Sequence, residues 1–288
     1  MKRLLLTILA CLLASPGWAN RLHTSGFETN DSTLTEWNVV SGTTSFSTTT
    51  VHSGTYSLRV NPTAGTAYIQ RNLSAAKTSG TLFFRVFSRW ATLPNAVATL
   101  ITVGTTASCR VQIVNGTNVV RLVNAVTTTS VDSTTVLSTG SWYRFELKDV
   151  LLDVGGSLEL KIFSDMDTSP LETLNINNED TLPTSVTSMY FGALTNNNTS
   201  DLFLDDISIG DALGTFQIDY PGPGKIALLK PASDDTVAWT KTGANCSATT
   251  NTDCVDDEPG TPDDDSGYNT SSTANQEDRL NSTTLPAA

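Results

Sequence analysis

The chain has 288 residues, 17 of them Lys or Arg and 29 Asp or Glu, for a formal net charge of −12. Only 16% of its residues are charged, against roughly 25% in an ordinary soluble domain, and Thr, Ser and Asn take their place. This balance argues against a nucleic-acid partner, because phosphate backbones require a basic stripe. It points to pleated sheet, since β-branched Thr suits a strand and Lys/Glu-rich helix faces are absent.

Residues 1–19 read as a secretory signal. Lys2 and Arg3 form the positive end, Leu4 to Ala14 the apolar run, and Gly17-Trp18-Ala19 a small-x-small exit. The run is too short to span a bilayer, and no later stretch reaches transmembrane length, so no membrane span is expected. The expected location is extracellular. A periplasmic or lipid-anchored form is the alternative, because Cys11 follows Ile8-Leu9-Ala10 as an acylated cysteine would.

From residue 37 to residue 209 the apolar pattern has period 2. TLFFRVFSRW puts Leu82, Phe84, Val86 and Trp90 on one side and Phe83, Arg85, Phe87 and Arg89 on the other. WYRFELK turns Tyr143, Phe145 and Leu147 inward and Trp142, Arg144, Glu146 and Lys148 outward. TSFSTTTV, YSLRVN, AYIQRNL, VATLITVG, NVVRLV, SLELKIF, SMYFGAL and DLFLDDISIG are further strands. Turn clusters such as Asn115-Gly116, Gly140-Ser141 and Gly155-Gly156 separate them. Short strands without an amphipathic helix predict an all-β, two-sheet antiparallel sandwich over residues 20–211. A Pro/Gly linker follows over 212–224. Residues 225–288 form an acidic C-terminal module, truncated or partly disordered, with one or two strands in KIALLKPASDDTVAWT.

Three cysteines follow the signal. Cys246 and Cys254 are close together in a polar loop and are expected to pair in an oxidising compartment, which would stabilise by about 2 to 3 kcal/mol in the chain-entropy view. Cys109 shares a face with Val111 and Ile113 and is expected to be a buried, inert thiol.

Several short motifs in one order carry a resemblance. They are GFE followed by Trp37, then VHSGTYSLRV, LFFRVFSRWATLP, STGSWYRFELKDV with SLELKIF, and finally SMYFGAL with LFLDDISIG. Together they resemble the concanavalin A-like (laminin G-like) jelly rolls over about residues 22–211, and at the two ends they are similar to jelly-roll carbohydrate-binding modules. The resemblance implies that the first and last strands lie side by side and that a structural calcium sits where they meet. Its ligands would be the carboxylates of Glu28 and Asp205, with backbone oxygens around His52, Ser53 and Gly54. Asp206, next in sequence, should point to the opposite face from Asp205. Such a site would be weak, with a dissociation constant on the order of 10⁻⁴ to 10⁻³ M.

Enzymes on this fold would need paired carboxylates or a His/Tyr group. The alternating acidic signature of one glucanase family is absent, Glu146 and Asp149 have the wrong spacing to share a face, and His52 lies in a turn motif. The expectation is a non-enzymatic protein, a polysaccharide hydrolase or lyase being the third reading. The first is a secreted lectin-like or adhesion module binding a glycan or cell-surface polysaccharide through Arg85, Arg89, Arg110, Gln112, Trp142 and Arg144, all opposite the inferred core, where guanidinium and ring suit sugar hydroxyls and carboxylates. The second is a structural subunit of a surface or virion-like assembly. KIALLKP, AWTK and CVDDEPGTPDDDSGYN faintly resemble segments of phage structural proteins, which implies self-assembly through the C-terminal segment.

Overall fold

The computed structural model describes residues 21–31, 33–213, 217–243, 250–255, 267–273 and 276–283. The expected signal peptide and Cys246 lie outside them. Among the described residues there is no α-helix, one short 3-10 turn at Thr252–Cys254, and strands elsewhere. Among the described residues no helix is long and apolar enough to cross a membrane.

Two antiparallel sheets pack face to face. The first runs β13 (Glu172–Glu179), β12 (Gly156–Ser164), β11 (Trp142–Leu151), β6 (Gly80–Thr92), β15 (Asp201–Asp211), β4 (Ser57–Val60) and β3 (Thr44–Ser47), and β1 (Arg21–Ser25) also pairs with β15. The second runs β10 (Ser130–Val136), β9 (Val119–Asn124), β8 (Cys109–Ile113), β7 (Ala98–Val103), β14 (Val186–Asn198), β5 (Gly65–Lys77) and β2 (Val39–Ser41). The period-2 alternation sets both inner faces. Leu82, Phe84, Val86 and Trp90 meet Phe145, Leu147, Leu158 and Leu160 in a core that also takes Cys109, Val111 and Ile113 from the facing sheet. Cys109 is fully buried and a free thiol, as its pattern requires.

The arrangement around β15 positions everything that follows. Its first half, Leu202 to Leu204, pairs with β4, and its second half, Ile207 to Gly210, pairs with β1. The two neighbours meet end to end beside Asp205 and Asp206. There β15 also slips by one residue against β6: Asp205 opposes Phe87 and Ser208 opposes Arg85, so that Asp206 and Ile207 together face Val86. Such a β-bulge re-aims a side chain. Asp206 takes it with φ +47, in the left-handed region that Asp tolerates better than most residues.

The expected opposition of Asp205 and Asp206 is therefore corrected. Leu204 and Ile207 both enter the core, and the extra residue lets two consecutive aspartates leave it on the same side.

Residues 217–228 are more than a spacer, for this Pro/Gly stretch straps the outer face of the first sheet. Tyr220 donates to Glu159 Oε1 at 2.8 Å and stands edge-on to Phe83, while the Lys161 ammonium lies 3.8 Å from its ring centroid. The Ile226 amide donates to Asp206 Oδ1 at 2.6 Å, and Ile226 packs on Gly26, where a Cβ would approach its carbonyl oxygen to 2.6 Å. Farther on, β16 (Pro231–Thr236) pairs with β19 (Arg279–Ser282) and β17 (Thr240–Gly243) with β18 (Gly267–Thr270). The strand in this region thus begins at Pro231, after KIALL rather than within it.

Candidate functional site

Two places on the outer face of the first sheet concentrate polar chemistry. The first is the gap between β4 and β1. Glu28, just after β1, turns its carboxylate onto the loop leading into β4, accepting from the Thr55 amide at 2.9 Å and the Tyr56 amide at 3.0 Å. Gly54, with φ +67, makes room, since a Cβ there would collide with that carboxylate. Asp205 Oδ2 accepts the His52 amide at 2.9 Å and the Ser53 amide at 3.3 Å. Asp206 Oδ1 accepts the Ser53 hydroxyl at 2.9 Å, and its Oδ2 meets His52 Nδ1 at 2.6 Å.

Both aspartates are fully buried, and among the described residues no lysine or arginine pairs with them or with Glu28. Burial, reinforced by Asp206, pushes the Asp205 carboxyl well above its ordinary range. Burial also raises Glu28, against the pull of the Tyr56 and Thr55 amides and with Asp206 adding to the rise. Glu28, Ser53, Gly54 and Asp205 are thus brought together as expected, with Asp206 as an added member. The loop turns its N–H groups, not its carbonyls, toward the carboxylates. Among the described residues no three His, Cys, Asp or Glu side chains form a ready metal-binding group, yet the carboxylate and hydroxyl oxygens of the cluster suit a hard cation.

The second place is a row across five strands. Ser45 opposes Arg59, Arg59 opposes Phe203, Phe203 opposes Arg89, and Arg89 opposes Trp142. The row spans about 19 Å at the usual strand spacing. Arg59 is bound in a fork to Asp201 at 2.8 Å for both contacts, and its guanidinium stands 5.9 Å from the Phe203 ring centroid. An open cleft of 370 Å³ lies at this end, lined by Phe46, Arg59, Phe203 and the hydroxyls of Ser45 to Thr49. Arg89 Nε donates to Gly140 O at 2.9 Å. Trp142 is partly exposed and edge-on to the His52 ring at 5.4 Å. His52 itself stacks on Phe87 at 3.7 Å and joins Asp206 to Asp165 through its Nε2 contact of 2.8 Å.

The structure divides the six residues expected to bind a ligand. Arg110 and Gln112 lie on β8, in the other sheet. Arg85 and Arg144 share a face with Arg89 and Trp142 but are covered. Arg85 donates to Asp206 O and to Gly222 O of the strap; burial pulls its guanidinium down to about 10, with Asp206 opposing. Arg144 is fully buried over the Phe163 ring and spends its donors on Glu146 Oε1, Asp165 O and Asp167 O, fixing the β12–β13 turn. Arg89 and Trp142 remain partly exposed on the row, and Arg59 joins them, while Phe203 between Arg59 and Arg89 is 6% exposed. Outward alternation in YSLRVN and DLFLDDISIG marked Arg59 and Phe203, but nothing in the sequence set them beside β6.

No protein family and no curated protein sequence matches the chain. Solved structures do. The structure titled "Cellulose induced protein, Cip1" superposes with a TM-score of 0.51 at 20% identity, covering 70% of this chain and all of that one. The chain folds as a two-sheet antiparallel jelly-roll sandwich. The CBM22-1 xylan-binding domain of Paenibacillus barcinonensis Xyn10C matches with a TM-score of 0.37 at 11% identity, over 70% of this chain and 99% of that one. An alginate lyase from Alteromonas sp. 272 matches with a TM-score of 0.39 at 10% identity, over 56% of this jelly-roll chain and 90% of its own.

Proposed function

We propose that the protein is a secreted, non-catalytic glycan-binding module that takes an extended saccharide along the row of Arg59, Phe203, Arg89 and Trp142. The observation that carries this reading is the register: four strands distant in sequence set the partly exposed Arg59, Arg89 and Trp142 in one row, with the edge of the largely covered Phe203 between the two arginines. Rings offer flat apolar surface to sugar C–H faces, and planar guanidinium groups donate in fixed directions to hydroxyl or carboxylate oxygens. The reading is non-catalytic because the acid–base groups of this face, His52 and Glu146, are engaged by protein partners. Retention on a panel of soluble and insoluble polysaccharides tests it. Binding should fall at least tenfold in Trp142→Ala and in Arg89→Gln. No retention on any polysaccharide, or variants that bind like the parent, would overturn it.

The same reading includes a calcium brace held by Glu28, Asp205 and Asp206 with the Ser53 hydroxyl, where a divalent ion would offset the burial that raises Glu28 and Asp205. It would lock β1 and β4 against β15. Millimolar calcium should raise the melting temperature of the parent and leave Asp205→Asn unmoved; equal behaviour of the two would remove calcium from the account. Pairing of Cys254, which is buried, with Cys246 belongs to the same secreted assignment.

A further inference from the structure

The C-terminal ribbons are built inside out. Trp239 at 38% and Tyr268 at 44% are exposed, whereas Asn251 is fully buried and Thr252 and Cys254 nearly so. Hydrogen bonds, rather than an apolar core, hold the unit. Asn251 is its hub: its amide nitrogen donates to Asp234 Oδ2 at 2.8 Å, and its Nδ2 donates to Trp239 O at 3.0 Å and to Asp278 Oδ2 at 2.6 Å. Asp278 Oδ1 in turn accepts the Ala238 and Trp239 amides, and Asn269 Nδ2 donates to Asn251 O at 2.9 Å.

Three buried side-chain atoms at this hub have no partner, and all are oxygens: Thr250 Oγ1, Asn251 Oδ1 and Asn269 Oδ1. Buried polar atoms left unpaired call for an unseen donor or ion. The amide orientation of Asn251 is fixed by its two donated bonds, which leaves Oδ1 as the orphan atom of that side chain. The node sets unpaired neutral oxygens beside the carboxylates of Asp234 and Asp278, with Lys241 near enough to act on Asp234, and it offers only hard ligands.

We propose that the Asn251 node is a second calcium site, with Asn251 Oδ1, Asn269 Oδ1, Thr250 Oγ1 and the carboxylates of Asp234 and Asp278 as its oxygen ligands. It is separate from the Glu28–Asp205 cluster and independent of glycan binding. Trp239, whose backbone hydrogen-bonds to both Asn251 and Asp278, is a built-in antenna for a luminescent lanthanide. The test is a terbium titration of the full chain, excited through tryptophan and competed with calcium.

Sensitised emission should appear in the parent, be displaced by calcium, and be largely lost in Trp239→Phe while calcium binding persists. Asp278→Asn, which keeps an oxygen for the Ala238 and Trp239 amides, should weaken binding at least tenfold with the circular dichroism spectrum unchanged. Asp205→Asn should leave this emission intact, so failure of the brace and failure of this site read differently. No emission dependent on Trp239, or an Asp278→Asn titration matching the parent, would overturn the proposal and leave the node to water.

Discussion

Asp149 lies at the inner end of β11 with no exposed surface, its Oδ2 accepting the Ser108 hydroxyl from the facing sheet and its Oδ1 unpartnered. Burial pushes its carboxyl from 3.8 up to about 7, against the weaker opposing pull of the Ser108 hydroxyl and the Cys109 thiol. In the unfolded chain the group titrates near its ordinary value of about 3.9. Between these values the native state keeps a proton that the unfolded state has released, so stability falls as pH rises, by about 1.4 kcal/mol per unit. The contribution is fully present below about pH 4 and gone by about pH 7, on the order of 4 kcal/mol in all.

Asp149→Asn cannot ionise and keeps an oxygen for Ser108. It should match the parent at pH 4 and exceed it by about 4 kcal/mol at pH 8, or on the order of 10 °C in Tm for a domain of this size. Urea unfolding at pH 4, 6 and 8 measures the difference. Glu28, Glu36, Glu146 and Asp205 are also raised and tilt the parent's pH profile the same way, so the subtraction is what isolates Asp149. A difference that stays constant across this range would refute the reasoning.

Gly54→Ala forces an alanine to φ +67 and drives its methyl into the Glu28 carboxylate; denaturant unfolding should register a loss of at least about 2 kcal/mol. In Glu28→Ala the same change should cost less, because the collision is gone. Tyr220→Phe removes only the hydrogen bond to Glu159 and should cost about 1 kcal/mol. Tyr220→Ala should release the strap, seen as faster hydrogen exchange at the Ile226 amide with core strands unaffected.

Period-2 alternation made the sandwich legible, because each strand with one buried face must repeat its apolar residues every second position. Leu82 to Trp90 and Tyr143 to Leu147 were assigned to the correct faces from that rule alone. The bulge was legible too, but only in a subtler feature: the apolar phase of β15 moves from Leu202 and Leu204 to Ile207 and Ile209, which an unbroken strand cannot accommodate. The ligand row was not legible. Alternation says that Arg85, Arg89, Arg110, Gln112 and Arg144 face outward, but not in which sheet, and β8 pairs into the second sheet while β6 and β11 pair in the first. Cover was equally hidden, since Arg85 and Arg144 are taken out of water by a strap and a turn far away in sequence.

The central claim is that an extended glycan lies across Arg59, Phe203, Arg89 and Trp142. Its most direct measurement is a ¹H–¹⁵N titration of the parent with whichever polysaccharide fragment the panel selects, following the Trp142 indole and the arginine Nε resonances. The account predicts saturable shifts concentrated at Trp142, Arg89 and Arg59, with Arg110 and Gln112 on the other sheet unmoved. Shifts centred on the second sheet, with the Trp142 indole stationary, would contradict it.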